Sequence, residues 1–357
     1  SQSQIDFLAA LGWRIVDTIT EEEAEREGYT SNSVVFNLAI PLSPADVKFN
    51  EEINNSFKSY FSKFDHQFDL VKACNSGANM RAGVKLRGWT SYITKTGKEW
   101  REWWAKQKNW DGTSTHSFSP DNLSKYAAQA MYVMRKRKDM WQNRETKLDY
   151  VKAVVTKFSR KKTMIFSETS DFADKIAALF PGKALAYHSN LVTLAVHPDG
   201  RIITNPPVAK RKGLKAEGYV IKSKATLQKE AITKFEDPNS GIDIMCAVRA
   251  LDEGFDVKKI EFILQVAYNS TTRQDTQRDG RGKRIDYDNL DKRTLIVNFY
   301  MVGTQEEKWL RSKQAGKRLV RYVTSVDEIN INQVVNFGTP KQAQVRTVPF
   351  GTLSTDF

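Results

Sequence analysis

The run Gln277-Arg278-Asp279-Gly280-Arg281-Gly282-Lys283-Arg284 puts four cationic side chains and two glycines into one polar stretch. An apolar run at 260–267 precedes it and another at 294–302 follows. Cations held between two buried strands suit an anion, and arginine's planar fork takes phosphate oxygens in pairs. A nucleoside triphosphate is the natural ligand for such a set. The other half of a triphosphate site is missing as a motif. No G-x-x-x-x-G-K-[ST] occurs, because the Gly-Lys pairs at 97–98, 182–183, 282–283 and 316–317 each lack the following hydroxyl residue. No apolar strand ends in paired acids that could hold magnesium. His66, His116, His188 and His197 lack metal-ligand spacing, and no Ser-His-Asp or Cys-His set can be argued, so no metal site is expected.

The elements that must position these arginines lie around them. Thr163 to Ser167 reads as a short buried strand, and Ser170 or Asp171 caps a helix with Phe172, Ile176 and Leu179 facing inward. Strands at 184–187, 242–248 and 260–266 alternate with a helix marked by Leu227, Ala231, Ile232 and Phe235. Such alternation implies an α/β fold, a parallel sheet with helices on both faces, with its ligand edge at the carboxyl ends of the strands.

Four segments are expected. Residues 1–44 are a connector and a first strand at 34–40, and residues 45–155 a mainly helical, Trp-rich, basic insertion. Residues 156–325 form the α/β domain, and 326–357 a polar C-terminal extension. Within the insertion, Trp100, Trp103, Trp104 and Trp110 share a helix face; packing between helices is the favoured reading, a stacking platform for a nucleic-acid strand the sharper one. Between Met134 and Lys162 eleven Lys or Arg stand against three acids, a local net of +8 that includes Arg135, Lys136, Arg137 and Lys138. So lopsided an excess suits a phosphate-tracking surface. A second interruption, 190–222, reads as a β-hairpin turning at Pro198-Asp199-Gly200, followed by a basic loop with Lys210, Arg211 and Lys212.

The whole chain of 357 residues carries a net charge of +13, which favours contact with a polyanion by counterion release. Cys74 and Cys246 are too few for a disulfide framework and fit a reducing compartment. No apolar run approaches the roughly 18–20 residues that cross a bilayer. No secretory signal is visible at the start, and no membrane partner is expected. A cytoplasmic location, in a bacterial or phage-infected cell, or a nuclear one in a eukaryote, follows as the expectation.

Three stretches occur in the order found in superfamily 2 helicases, and they resemble motifs of the second, C-terminal RecA-like motor domain. Met164-Ile165-Phe166-Ser167-Glu168 looks like motif IV, Ala250-Leu251-Asp252-Glu253-Gly254-Phe255-Asp256-Val257 like motif V, and residues 277–284 like the Q-x-x-G-R-x-x-R of motif VI. The match runs over roughly 160–315, and residues 19–29 resemble the connector leaving the first motor domain. DNA-repair and phage recombination helicases look nearest, with chromatin-remodeller-type translocases as the near alternative. The resemblance implies a RecA-like parallel sheet and ATP with magnesium as cofactor, the ion held mainly by an N-terminal motor domain. It makes Arg281 and Arg284 arginine fingers, with Gln277 positioning phosphates or the attacking water. Gly254, Asp256 and Gly280 are then nucleotide-binding residues, and Ser167, Thr169 and Arg249 strand contacts. The partners it implies are single-stranded or branched DNA and an N-terminal RecA-like domain, in the same chain or as a separate subunit. With no Walker loop in these residues, the chain alone is expected to be inactive. The rival reading is a non-catalytic nucleic-acid-binding or regulatory module that keeps a helicase-like fold.

Overall fold

Helix α1 (Glu21–Arg26) leads into β1 (Asn32–Ile40), a nine-residue strand buried along its whole length. In this computed structural model the described residues are 10, 21–86, 88–159, 161–248, 259–268, 272–314 and 320–333. Arg249, Gly254, Asp256 and the rest of 250–257 lie outside the described residues, as do 11–20 and everything beyond 333.

After β1 the chain leaves the sheet. Ser43 accepts the backbone N–H of Asp46 and, with Pro44 behind it, starts α2 (Pro44–Ser62). There follow α3 (Phe68–Asn75), a hairpin of β2 (Met80–Leu86) and β3 (Trp89–Lys95), and α4 (Gly97–Gln107), opened by a Thr96/Glu99 capping box. The hairpin adds two strands to a region expected to be mainly helical. Its inward residues Ala82, Val84 and Ile93 pack with Leu70, Val71, Trp100, Trp104 and Leu123 in a core of the insertion's own. Trp100 and Trp104 are thus core residues: their indole N–H groups donate to the carbonyls of Met80 (3.0 Å) and Lys63 (2.9 Å).

The long helix α5 (Pro120–Gln142) joins the two cores. Its first half buries Leu123, Ala127 and Ala130 in the insertion, and its end buries Met140 and Trp141 against the sheet. Arg144, just beyond α5, grips Asp46 at the start of α2 with a 2.5 Å contact, tying both ends of the insertion together. Helix α6 (Thr146–Lys157) already belongs to the sheet, through Val151, Val154 and Val155. The insertion therefore closes within α5 rather than at residue 155.

The remaining elements in chain order are β4 (Thr163–Ser167), α7 (Ser170–Ala178), β5 (Ala184–Tyr187), β6 (Leu194–Val196), β7 (Ile202–Thr204), α8 (Arg211–Ala216), β8 (Val220–Lys222) and α9 (Lys224–Glu236). Then come β9 (Ile244–Val248), β10 (Phe262–Gln265), α10 (Thr272–Gly282), β11 (Arg293–Met301), α11 (Gln305–Gln314) and β12 (Val320–Val323). Among the described residues, seven strands form one parallel sheet in the order β12-β1-β11-β10-β4-β9-β5. The first strand pairs with β11 over nine residues inside the sheet.

Period-two alternation sorts the strands onto two faces. Phe36, Ile165, Cys246, Leu264 and Val297 face α5, α6 and α7, whereas Val35, Met164, Met245, Ile263 and Ile296 share the other face with Phe235 of α9. Helices thus cover both faces, and the fold is a RecA-like α/β sheet. The 190–222 interruption is a small antiparallel sheet, β7-β6-β8, and its basic stretch after Lys210 forms α8 instead of a loop.

Candidate nucleotide-facing site

Helix α10 carries most of the arginine-rich stretch, and almost nothing apolar holds it. It is seated by a close approach and by buried polar bonds. A side chain at Gly282 would begin 2.5 Å from Thr294 Cγ2 and 2.7 Å from Ile263 Cδ1, so only glycine lets the helix end reach the sheet. Thr294 Oγ1 donates to the Gly282 carbonyl at 2.7 Å. Gly282→Ala is therefore expected to cost about 1–3 kcal/mol in unfolding free energy by overpacking. A denaturant titration of the purified variant checks this, and an unchanged midpoint would refute it.

One turn earlier, Arg278 is fully buried. Its guanidinium lies 5.2 Å from the centre of the Phe166 ring, Nη2 donates to Glu168 Oε1 at 3.0 Å, and Nη1 reaches Gln265 Oε1 at 3.5 Å. Gln265 in turn donates to Asp279 at 2.8 Å. The group draws α10 onto the carboxyl ends of β4 and β10, the edge where open α/β sheets bind ligands. Asp275, also buried, pairs with Lys313 of α11.

The exit from α10 is clasped by the segment before β1. Ser31 donates its N–H to the Lys283 carbonyl (2.8 Å) and its hydroxyl to the Arg284 carbonyl (2.9 Å), while Lys283 Nζ stands 3.4 Å from Glu25 of α1. Lys292 donates to the same Arg284 carbonyl at 2.6 Å. Burial pushes the Lys292 ammonium down to about 8; Asp286 and Glu261 pull it up and Arg284 pushes it further down. Between about 8 and the ordinary 10.5 the unfolded chain holds a proton that the fold has shed. Unfolding free energy should accordingly rise with pH across that window. Lys292→Met should flatten the rise, read by denaturant unfolding at several pH values.

These contacts leave one helix side outward. Gln277 and Gly280 are exposed, and nothing lies within 4 Å of where a Gly280 side chain would begin. Arg281, four residues after Gln277 on the same helix side, and Arg284, just beyond the helix end, are half-buried.

The other sequence-selected residues stand apart from this group. Ser167 is buried and donates its hydroxyl to the Thr169 carbonyl at 2.9 Å, so it shapes the turn after β4. Thr169, half-buried, donates to Asn143 at 2.8 Å. On α5, Arg135, Lys136 and Lys138 are exposed, whereas Arg137 is packed between Phe57 (4.5 Å) and Trp141 (5.7 Å). Lys210 and Lys212 are exposed, and Arg211 is half-buried with its Nε on the Pro206 carbonyl.

Residues that motif reading passed over are Arg278, Glu168 and Gln265, and a buried pair nearby. Lys147 and Glu306 are both 0% exposed and meet at 3.0 Å. Gln265 was visible as a polar residue inside an apolar strand, which marks a buried hydrogen-bond network.

Fold and site together define a RecA-like α/β domain with a cationic helix at its strand-end edge. Residues 146–286 match the model of the helicase conserved C-terminal domain family. No curated protein matches the sequence. Among solved structures, the Pyrococcus furiosus Hef helicase domain is similar at 11% identity and TM-score 0.46, over 87% of this chain and 64% of that one. A DEAD box protein from Methanococcus jannaschii is similar at 16% identity and TM-score 0.35, over 51% and 40%. The S. cerevisiae Dbp5 variant bound to RNA and ADP BeF3 is similar at 12% identity and TM-score 0.38, over 55% and 44%. The chain spans less than two thirds of the length of each of these three. Among the described residues no helix is long and apolar enough to cross a membrane, and no cluster of His, Cys, Asp and Glu could hold a metal ion.

Proposed function

We propose that this chain is the C-terminal motor half of a superfamily 2 helicase or translocase acting on DNA, nearest to the repair and phage recombination enzymes. The observation that carries the reading is the division of labour on α10. Arg278, Asp279 and Gly282 are buried against the fold, Gln277 and Gly280 are exposed, and Arg281 and, just past the helix end, Arg284 are half-buried at the same edge. Two guanidinium forks one turn apart, beside a glycine that lets a ligand approach the backbone, fit the donor set a triphosphate needs.

In this reading Arg281 and Arg284 stabilise charge on the transferring phosphoryl group, and Gln277 orients phosphate or water. Gly254 and Asp256 complete the nucleotide contacts. ATP with magnesium binds between this domain and a second RecA-like domain, whose acids hold the ion. Thr169 and Arg249 meet the strand, and Arg135, Lys136, Lys138, Lys210 and Lys212 attract its phosphates. Ser167 and Arg137 act indirectly, by shaping the turn and packing the helix that present their neighbours.

ATP hydrolysis by these 357 residues alone, with and without single-stranded DNA, tests the proposal. Background turnover alone and DNA-stimulated turnover once a first motor domain is joined to it are the expected results. Robust turnover by the chain alone would overturn it.

A further inference from the structure

Among the described residues, nothing covers the outer face of the insertion's hairpin, β2–β3. Residues 80–95 hold four basic side chains, Arg81, Lys85, Arg87 and Lys95, and no acid. They also hold Trp89 and Tyr92, which are 80% and 69% exposed. Exposing two large aromatic rings to water is unfavourable unless something takes them up.

The register places these groups. Gly83 stands opposite Tyr92, with Arg81–Thr94 and Lys85–Thr90 as the flanking pairs on the same outward face. The Tyr92 ring lies over Gly83, its Cε1 3.0 Å from where a glycine side chain would begin, and the Arg81 guanidinium is 5.2 Å from the ring centre. Tyr92 is thus held by Gly83 and Arg81 and still stays largely exposed. Trp89, paired with Leu86 directly after Gly88 (φ 89°), stands at the exposed tip, and strand alternation puts it on the other face from Tyr92.

Beneath this face the hairpin is anchored. Ala82, Val84 and Ile93 enter the insertion core, Trp100 bonds the Met80 carbonyl, and Gln67 bonds both the N–H (2.6 Å) and the carbonyl (3.1 Å) of Lys85. A rigid ribbon bearing open rings between cations matches the chemistry of unpaired bases on a phosphate backbone: stacking for the rings, counterion release for the charges.

We infer that the exposed tip and outer face of the β2–β3 hairpin, with Trp89 on the first and Tyr92 on the second, form a stacking platform for single-stranded nucleic acid. This rests on the nucleic-acid-binding part of the function proposed above, but on none of the residues assigned there. The full chain is titrated with fluorescent oligo-dT, oligo-rU and a blunt duplex across a range of salt. Trp89→Ala and Tyr92→Leu, the latter keeping Gly83 covered, should each weaken single-strand binding about tenfold while leaving the salt slope unchanged. Trp89→Phe, which keeps a ring, should restore most of the affinity. Arg81→Ala and Lys85→Ala should each lower the slope by about 0.7. The tighter of the two oligomers tells DNA from RNA. Single-strand affinity unchanged in a Trp89→Ala/Tyr92→Leu double variant overturns the inference and leaves the function standing. Equal losses on the duplex overturn it as well. No binding of any oligomer by the unaltered chain overturns both.

Discussion

Replacing Arg281 by alanine in the two-domain protein is expected to lower ATP turnover about 10³-fold or more, with nucleic-acid affinity retained. The magnitude is that of arginine fingers in related phosphoryl-transfer enzymes. Arg281 is half-buried, whereas the groups that seat α10 are buried. Its seat is the buried Arg278 on Glu168 and Phe166, the Gln265–Asp279 bond, and Gly282 against Thr294 and Ile263. The melting temperature of Arg281→Ala, measured beside its turnover, separates a loss of rate from a loss of fold. Arg281→Lys keeps the charge but not the planar fork, and should recover only part of the rate. Arg278→Ala makes the contrast. There the loss would come through the fold, with a lowered melting temperature and a helix no longer pressed on the strand ends. Turnover unchanged in Arg281→Ala, at intact stability, would favour the non-catalytic binding module instead.

The contrast between Arg278 and Arg281 also shows what the sequence could and could not convey. Strands such as Met164-Ile165-Phe166 and Leu295-Ile296-Val297 are legible because each is a short apolar run between polar breaks, and burial on both faces is what such a run means. The arginines were legible as a motif. Which of them face inward was not, since that depends on Glu168, 110 residues away from Arg278, arriving at the same sheet edge. The insertion's hairpin was missed for a different reason. Ala82, Val84 and Leu86 do alternate with Arg81, Gly83 and Lys85, the period of a half-buried strand, but the stretch is short and its two glycines, Gly83 and Gly88, weaken the signal beside the helical spacing around it. The tryptophan helix, by contrast, followed its spacing: Trp100 and Trp104 recur every four residues and both are buried. The basic stretch after Lys210 carried a glycine that suggested a loop, but its neighbours still close one and a half turns of helix.

Lys147→Met should destabilise the domain by about 3–5 kcal/mol, far more than an exposed ion pair would. Lys147 Nζ donates to the Val266 carbonyl at 2.7 Å and to both oxygens of Glu306 at 3.0 Å. Glu306 also accepts the backbone N–H groups of Tyr268 (2.8 Å) and Met301 (2.9 Å). One carboxylate thus ties the chain beyond β10 and the end of β11 to α11, and the lysine ties it to α6. Burial pushes the Glu306 carboxyl up and the Lys147 ammonium down from their ordinary values. Without the ammonium, Glu306 can only remain charged in an apolar site or hold a proton. The fold then binds that proton more tightly than the unfolded chain does. The deficit of Lys147→Met should therefore grow as pH rises above the ordinary carboxyl value of 4.5. Adding Glu306→Gln removes the stranded charge while keeping one acceptor for the backbone N–H groups, and should restore a substantial part of the loss. Denaturant titrations of the two single variants and the double variant, at acid and neutral pH, measure the coupling. A cost below about 1 kcal/mol for Lys147→Met, typical of a solvated pair, would mean that the strand-end edge does not depend on this contact.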